Sequence, residues 1–481
     1  MSSITLSRAE YRDRNRACWV GKNIGGTLGA PWECKKHTFD FTFYHPVPEK
    51  AAPNDDLDLQ LVWLKAMEEA GTDPSVRTLA EYWDRYAAVY PWNEYGFFMR
   101  NYRRGLRPPM AGCFENYFVD EMGSPIRSEI WACLHPGNPQ AAARMAWRDS
   151  AIDHAGGEGT YGEMFWAAAE SAAFVEKDLM TLIRIGLNVI PISCRISRVI
   201  REAIWCHENG LSWGEARERV ITRFANFQPC DAIANHGFMI IGLLYGNDFG
   251  EMLCKAVNCG YDTDCTGATV GAFLGILLGT EGIPAKWLAP IGEEIVPHKY
   301  TGEFDIPKTV DELTNRTVAL AEKAAANGPV AFGDETVLPE DMRSRLFDNR
   351  LAREALAQNP MAAIELLADG REVWFHYDSD PVMTPGLAKL VRVAVEGGAE
   401  GVSLEVPAGW SVSEVEPGRF SIEAGEVEDK NTVTVCVGDE KLDFVFLGPG
   451  LAKGFAAGNN VRKCPICHGL PEACGCRAKA E

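Results

Sequence analysis

The stretch Asn258-Cys259-Gly260-Tyr261-Asp262-Thr263-Asp264-Cys265-Thr266-Gly267-Ala268-Thr269-Val270-Gly271 carries two acids two residues apart, and glycine then recurs at 267, 271, 275 and 279. A four-residue interval keeps these glycines near one face of a helix, drifting slowly around it. Each interior glycine costs about 1 kcal/mol against alanine, so a run of them needs a reason. Close approach of another helix backbone supplies one, which predicts a central, buried helix. The run is too short and too glycine-rich for a bilayer span, which needs ~20 apolar residues. Carboxylates at the entrance of a buried helix are costly unless paired or metal-bound, which makes Asp262 and Asp264 candidate ligands.

Two other stretches belong with it. Arg16-Ala17-Cys18-Trp19-Val20-Gly21-Lys22-Asn23-Ile24-Gly25-Gly26-Thr27-Leu28-Gly29-Ala30-Pro31-Trp32-Glu33 holds a second four-residue stripe, Gly21, Gly25 and Gly29, ended by Pro31. Its spacing is neither a Walker A loop nor a dinucleotide fingerprint. Glu33 by itself reads as a surface acid. In Pro53-Asn54-Asp55-Asp56-Leu57-Asp58-Leu59-Gln60 two acids precede an apolar helical run. One reading makes Asn54 a side-chain cap and the acids partners of the helix dipole. The other makes them hard oxygen ligands on a rigid helix start. Two carboxylate pairs, both at helix starts, suggest one site for two hard cations. Mg²⁺ prefers such oxygens, and two ions roughly 3.5–4 Å apart would hold vicinal hydroxyls and polarise a water.

The first 365 residues read as a large all-α domain. Thr78–Glu81, Ser212–Glu215 and Thr309–Glu312 have the form of capping boxes, and Asn138-Pro139 that of an N-cap with proline at the first helical position. From about residue 366 the pattern changes. Val373–Tyr377, Val391–Val395, Val402–Val406, Phe420–Ile422, Thr432–Val437 and Leu442–Phe446 are short, β-branched and aromatic, and separated by turn residues. They predict a small antiparallel β-sandwich over 366–450. The fold class expected is therefore mainly α with a small C-terminal β-sandwich. The tail, 451–481, carries Cys464-Pro465-Ile466-Cys467-His468 and Cys474-Gly475-Cys476. Cys464, Cys467, Cys474 and Cys476 form a candidate zinc site, because a structural zinc takes four such donors; a thiol-rich tail without metal is the alternative.

Composition narrows the function. Lys plus Arg is 47 against 67 Asp plus Glu, a net charge of −20. That argues against nucleic acid, whose phosphates are bound through Lys and Arg, and against an anionic membrane surface. The polar Met1–Arg16 segment has no apolar core for a signal peptide, so a cytoplasmic location is expected and the fifteen cysteines are expected as thiols. Glycine is in surplus, 46 of 481 residues against a usual ~7%.

Together these segments resemble the ADP-ribosylglycohydrolase family, which includes the dinitrogenase-reductase-activating glycohydrolases and the ADP-ribosyl-acceptor hydrolases. Gly21–Glu33 is similar to its GxxxGDALGxxxE helix, Asn54-Asp55-Asp56 to its TDD motif, Gly123-Ser124-Pro125-Ile126-Arg127 to its GxGxxMR segment, and Gly260–Ala272 to its GGDTD(S/T)xGAxxGA motif. Asp153–Phe165 sits where the family has its LTH-type loop, in a form that resembles a divergent bacterial branch. The resemblance implies an orthogonal helical fold with a dinuclear Mg²⁺ site, Mn²⁺ being an alternative ion. Asn54, Asp55, Asp56, Asp262, Asp264 and Cys265 would be its metal-site residues. Asn54 stands for the family's threonine and Cys265 for its serine or threonine. A thiol is a poor Mg²⁺ ligand, so the second ion is expected to be weaker, shifted towards Thr266, or absent. Glu33 would be the mobile catalytic acid, acting with Asp55, Asp56 and Asp264. Gly123, Arg127, His154 and Tyr161 would be substrate-binding, with structural roles as the alternatives for Arg127, His154 and Tyr161. The implied reaction is Mg-dependent hydrolysis of an N- or O-glycosidic bond to ribose, on ADP-ribosylated protein or a ribosyl small molecule. The rival is a non-catalytic nucleotide-binding or structural protein on the same scaffold, as the family's lens crystallins are.

Overall fold

A computed structural model of the chain describes residues 4–87, 90, 93–326, 328–398 and 401–450. They form two compact units. The first takes residues up to Pro74, Asp120–Ser150 and Gly157–Ala357; the second takes Ser75–Val119, Ala151–Gly156 and residues from Gln358 on. The candidate zinc cysteines Cys464, Cys467, Cys474 and Cys476 lie outside the described residues.

In the first unit the two glycine-bearing segments are helices, Arg8–Gly29 and Thr263–Leu278. They pack antiparallel with backbone against backbone. A Cβ placed on Gly25 would fall 1.8 Å from the Gly267 carbonyl oxygen, and one on Gly21 2.0 Å from that of Gly271. Going the other way, a Cβ on Gly275 would fall 2.0 Å from the Ala17 carbonyl oxygen. No side chain larger than hydrogen fits at these crossings. Gly279 does a different job from the one its spacing suggests: with φ of 74° it ends its helix, and its N–H donates to the Gly275 carbonyl. Such a left-handed terminus favours glycine.

Antiparallel packing sets the start of one helix beside the end of the other, and Thr263 Oγ1 donates to the Gly29 carbonyl at 2.8 Å. Glu33, four residues past Gly29, is thereby carried to the Asp262–Asp264 helix entrance. The Asp55–Ala70 helix joins them, because Gly26 leaves room for Asn54: a Cβ there would lie 2.7 Å from Asn54 Nδ2. A fully buried ion pair ties the bundle below the site. Lys22 Nζ lies 2.7 Å from Glu129 Oε1, and Gln60 Nε2 donates to Glu129 Oε2 at 2.8 Å. Further helices, among them Pro139–Ser150, Glu158–Ala173, Arg195–Glu208 and Ala232–Tyr245, build the surrounding core.

Local signals are met unevenly. Ser212 and Glu215 form the full reciprocal capping box. Thr309 caps Glu312, whose carboxylate reaches Lys308 N instead of returning to the cap. A parallel pair, Ile4–Ser7 with Val330–Gly333, was not expected within the helical region; at four residues each, these strands are too short for a β pattern to register.

In the second unit the sandwich is present. One antiparallel sheet runs Ala362–Leu366, Glu372–Tyr377, Ala388–Val395, Arg419–Glu423, Ser411–Glu416; the other runs Glu440–Leu447, Lys430–Val437, Val402–Glu405. Phe375 stacks on Phe444 at 4.8 Å between ring centroids, and Tyr377 meets Phe446 edge-on at 5.0 Å. Two strands escaped the sequence. Ala362–Leu366, though last in its sheet, is buried on both faces and shows no alternation. Ser411–Glu416 is an almost wholly exposed edge strand of serine, glutamate and two valines. The helices Val76–Tyr86 and Asn93–Arg103 cluster with these strands, and Arg77 and Arg107 both bind Glu365. The first of them begins before the Thr78 box, with Ser75 as its cap.

Gly25→Ala should destabilise the protein by at least the ~1–3 kcal/mol typical of overpacking, since the facing atom is backbone and cannot rotate away. Gly214→Ala, whose added Cβ would meet nothing within 4 Å, should leave stability unchanged or slightly raised. Urea unfolding midpoints of the two variants test the contrast.

Candidate metal centre

Three polypeptide segments meet at the site. Asn54 and Asp262 are the N-cap residues of the Asp55–Ala70 and Thr263–Leu278 helices, yet neither side chain makes a capping hydrogen bond. Capping is what asparagine and aspartate normally do at such positions. The expectation that Asn54 caps its helix through its side-chain oxygen is therefore not met. Asp56 Oδ1 and Oδ2, Asp262 Oδ2 and Asp264 Oδ1 are buried without a hydrogen-bond partner. Asp262 N takes Asn235 Oδ1 at 3.3 Å, which fixes the backbone and leaves the carboxylate unspent.

Ligand atoms of Asp56, Asp264 and Cys265 lie within 4.8 Å of one another, and so do those of Glu33, Asp262 and Asp264. Asp264 belongs to both groups. The arrangement is two adjoining oxygen-rich positions that share one carboxylate, with a thiol in the deeper group and the solvent-facing Glu33 in the outer. Buried carboxylate oxygens of this kind fit a hard divalent cation. Thr266 Oγ1 donates to the Thr263 carbonyl at 3.3 Å, so this hydroxyl serves the helix turn.

The electrostatics follow from crowding. Burial raises Asp56 to about 8, the nearby Lys22 opposing the rise and Asp55 adding to it. Burial also raises Asp262 and Asp264 well above the usual carboxylate range, with Glu33 and Asp56 adding to both. Asp55 is raised by burial, with His298 as the main counterweight. Glu33 is raised by desolvation and then by Asp55. Burial and the surrounding acids push the Cys265 thiol well up, so it stays protonated. A charge-dense cation is what would relieve this repulsion.

The remaining candidates fall elsewhere. Arg127 is fully buried in an ion pair with Asp149, 2.7 Å apart, and donates to the Gly123 carbonyl at 2.9 Å. Gly123, also buried, is thus an anchor for that arginine. His154 belongs to the second unit and is fully buried, with Nδ1 2.9 Å from Asp153 Oδ1 and Nε2 3.6 Å from Glu94. Gly123, Arg127 and His154 are all buried, and the contacts of Arg127 and His154 are those of the structural alternative. Tyr161 is partly exposed on the Glu158–Ala173 helix.

The sequence reading missed Lys22, Gln60 and Glu129, the buried polar group beneath the acids. The one available signal was a lysine inside a helix of small residues. His298 is a further neighbour of the acids. Its effect on Asp55 places it near the site, and its backbone N–H donates to Asp58 Oδ2 at 2.8 Å.

Residues 7–328 match the family described as ADP-ribosylglycohydrolase. No curated protein matches. Among solved structures, an ADP-ribosylglycohydrolase-related protein complex is similar at 19% identity, over 66% of this chain and 99% of that chain, with a TM-score of 0.43. Among the described residues no helix is long and apolar enough to cross a membrane.

A carboxyl with a raised folded-state pKa keeps its proton longer in the native state. From Asp56, metal-free stability therefore falls as pH rises from its ordinary 3.8 towards about 8. The melting temperature of EDTA-treated protein should drop between pH 6 and pH 8. Millimolar Mg²⁺ should raise it, more at pH 8 than at pH 6. Asp56→Asn should flatten the metal-free pH dependence and reduce the Mg²⁺ response. Scanning calorimetry of both proteins reads all three effects.

Proposed function

Because the chain belongs to the ADP-ribosylglycohydrolase family, we propose that it is a divalent-metal glycohydrolase, with Mg²⁺ as its ion. The bond it cleaves is an N- or O-glycosidic bond to ribose, on ADP-ribosylated protein or on a ribosyl metabolite. The observation that carries this reading is the set of unpartnered carboxylate oxygens of Asp56, Asp262 and Asp264, gathered at two helix starts whose cap residues do not cap. Asn54, Asp55, Asp56, Asp262 and Asp264 would hold the metal. Bound there, the ions would fix the ribose hydroxyls and polarise a water.

The chain's own groups do the rest. Glu33 is the acid on the open side of the cluster, and its raised pKa lets it keep a proton closer to neutrality. A carboxyl so tuned can take a proton from water or give one to a leaving group, while oxocarbenium character develops at the anomeric carbon. The Lys22–Glu129–Gln60 knot holds the Asp55–Ala70 helix start in place and gives Asp56 its one opposing cation. Arg127 is a positioning residue, tying the 3₁₀ turn Pro125–Arg127 to Asp149. Tyr161 has exposed ring surface to offer a base. Cys265, a soft donor in an oxygen site, favours unequal occupancy of the two positions and keeps the non-catalytic reading as the one to defeat.

The test is a substrate screen of ADP-ribosylated proteins and ribosyl metabolites, with chromatographic detection of released ADP-ribose or ribose. Release should require a divalent ion. Glu33→Gln should lower kcat by about 10²–10⁴ with little change in KM, and Asp264→Asn should abolish turnover. If no substrate is cleaved while Mg²⁺ with ADP-ribose still raises the melting temperature, the protein is the non-catalytic binder.

A further inference from the structure

Glu33 has a second set of neighbours besides the aspartates. Cys34 Sγ lies 3.8 Å from Glu33 Oε1 and 3.9 Å from Cys230 Sγ. Donor atoms of all three residues fall within 4.8 Å of one another. Zinc–sulfur bonds of about 2.3 Å at tetrahedral angles hold two sulfurs roughly 3.8 Å apart, close to the spacing found here.

The backbone is shaped for this approach. Cys34 has φ of 62°, a left-handed conformation that costs a non-glycine residue about 1–2 kcal/mol. Lys35 N to Trp32 O at 3.1 Å and Tyr261 N to Lys35 O at 2.8 Å hold the turn. Cys230 is fixed by Met122 N on its carbonyl at 3.0 Å. Glu33 and Cys34 are solvent-exposed, which gives an ion an entry path.

We propose that Glu33, Cys34 and Cys230 form a binding site for a soft divalent cation, Zn²⁺, completed by water. Donor chemistry separates it from the carboxylate site beside it. On binding, both thiols release their protons to solvent, and the resulting thiolates select zinc, whereas Mg²⁺ takes the all-oxygen positions. Glu33 stands in both groups, and a carboxylate held by zinc carries no proton to give to a leaving group. Zinc binding therefore withdraws Glu33 from the ribosyl site. That consequence rests on the proposed function; the binding itself does not.

The experiment uses the full-length reduced protein with Cys464, Cys467, Cys474 and Cys476 changed to serine, so that the tail contributes no thiol. Saturating Mg²⁺ is present, and Co²⁺ is titrated as the spectroscopic stand-in for zinc. One equivalent should bind with a thiolate-to-cobalt charge-transfer band, and Zn²⁺ should displace it. Cys34→Ser, at an exposed position, should weaken binding by roughly 100-fold or more, beyond the loss of an outer-shell partner. Asp264→Asn, which disables the carboxylate site, should leave the titration intact. Cobalt bound without a thiolate band overturns the proposal. So does a band that survives both Cys34→Ser and Cys230→Ser.

Discussion

Two helices touch through their backbones, and the candidate site hangs from that contact. Carbonyl oxygens of one helix fill the space where the other would carry a Cβ, at Gly21, Gly25, Gly267, Gly271 and Gly275. Each glycine costs helix stability. The return is a helix separation that no larger residue permits, and with it a fixed register. Thr263 is locked beside Gly29, and the acids that begin one helix meet the acid that follows the other. A shift of one turn would carry Glu33 away from Asp264 and dissolve the Glu33–Asp262–Asp264 group.

The aspartates are held largely away from water, and burial raises each of them. Ordinary folding would spend these side chains on helix capping. Here Asn54 and Asp262 occupy cap positions and leave the N–H groups of their helices without them. Lys22 opposes the rise at Asp55 and Asp56, and it is already committed to Glu129. The polar knot thus supports the helix start while leaving negative charge in excess above it. The same electrostatic surplus reaches outward through Glu33 to the Cys34–Cys230 pair, where the donors change from oxygen to sulfur.

Much of this was legible in the chain. The glycine interval predicted backbone contact between helices, and the acids at both helix starts predicted a shared site; the resemblance then joined Glu33 to them. Six of the strands showed as short β-branched runs. What escaped did so for physical reasons. Ala362–Leu366 has no alternation because both faces are buried, and Ser411–Glu416 is polar because almost all of it is exposed. Gly279 kept the stripe's period while serving as a helix terminus. Lys22 and Glu129 lie far apart in sequence, and a buried pair of that kind leaves no local periodic trace.

The sequence by itself determined the helical part, the β-rich C-terminal part and the residue types of the acidic cluster, because period, turn chemistry and donor chemistry are local properties. Only the tertiary structure decided what each side chain had left to give. Packing spends Arg127 on Asp149, encloses His154, denies Asn54 and Asp262 their caps, and turns Cys34 towards Cys230. Those outcomes depend on partners distant in the chain, and burial fixes them because an unpaired polar atom away from water is costly.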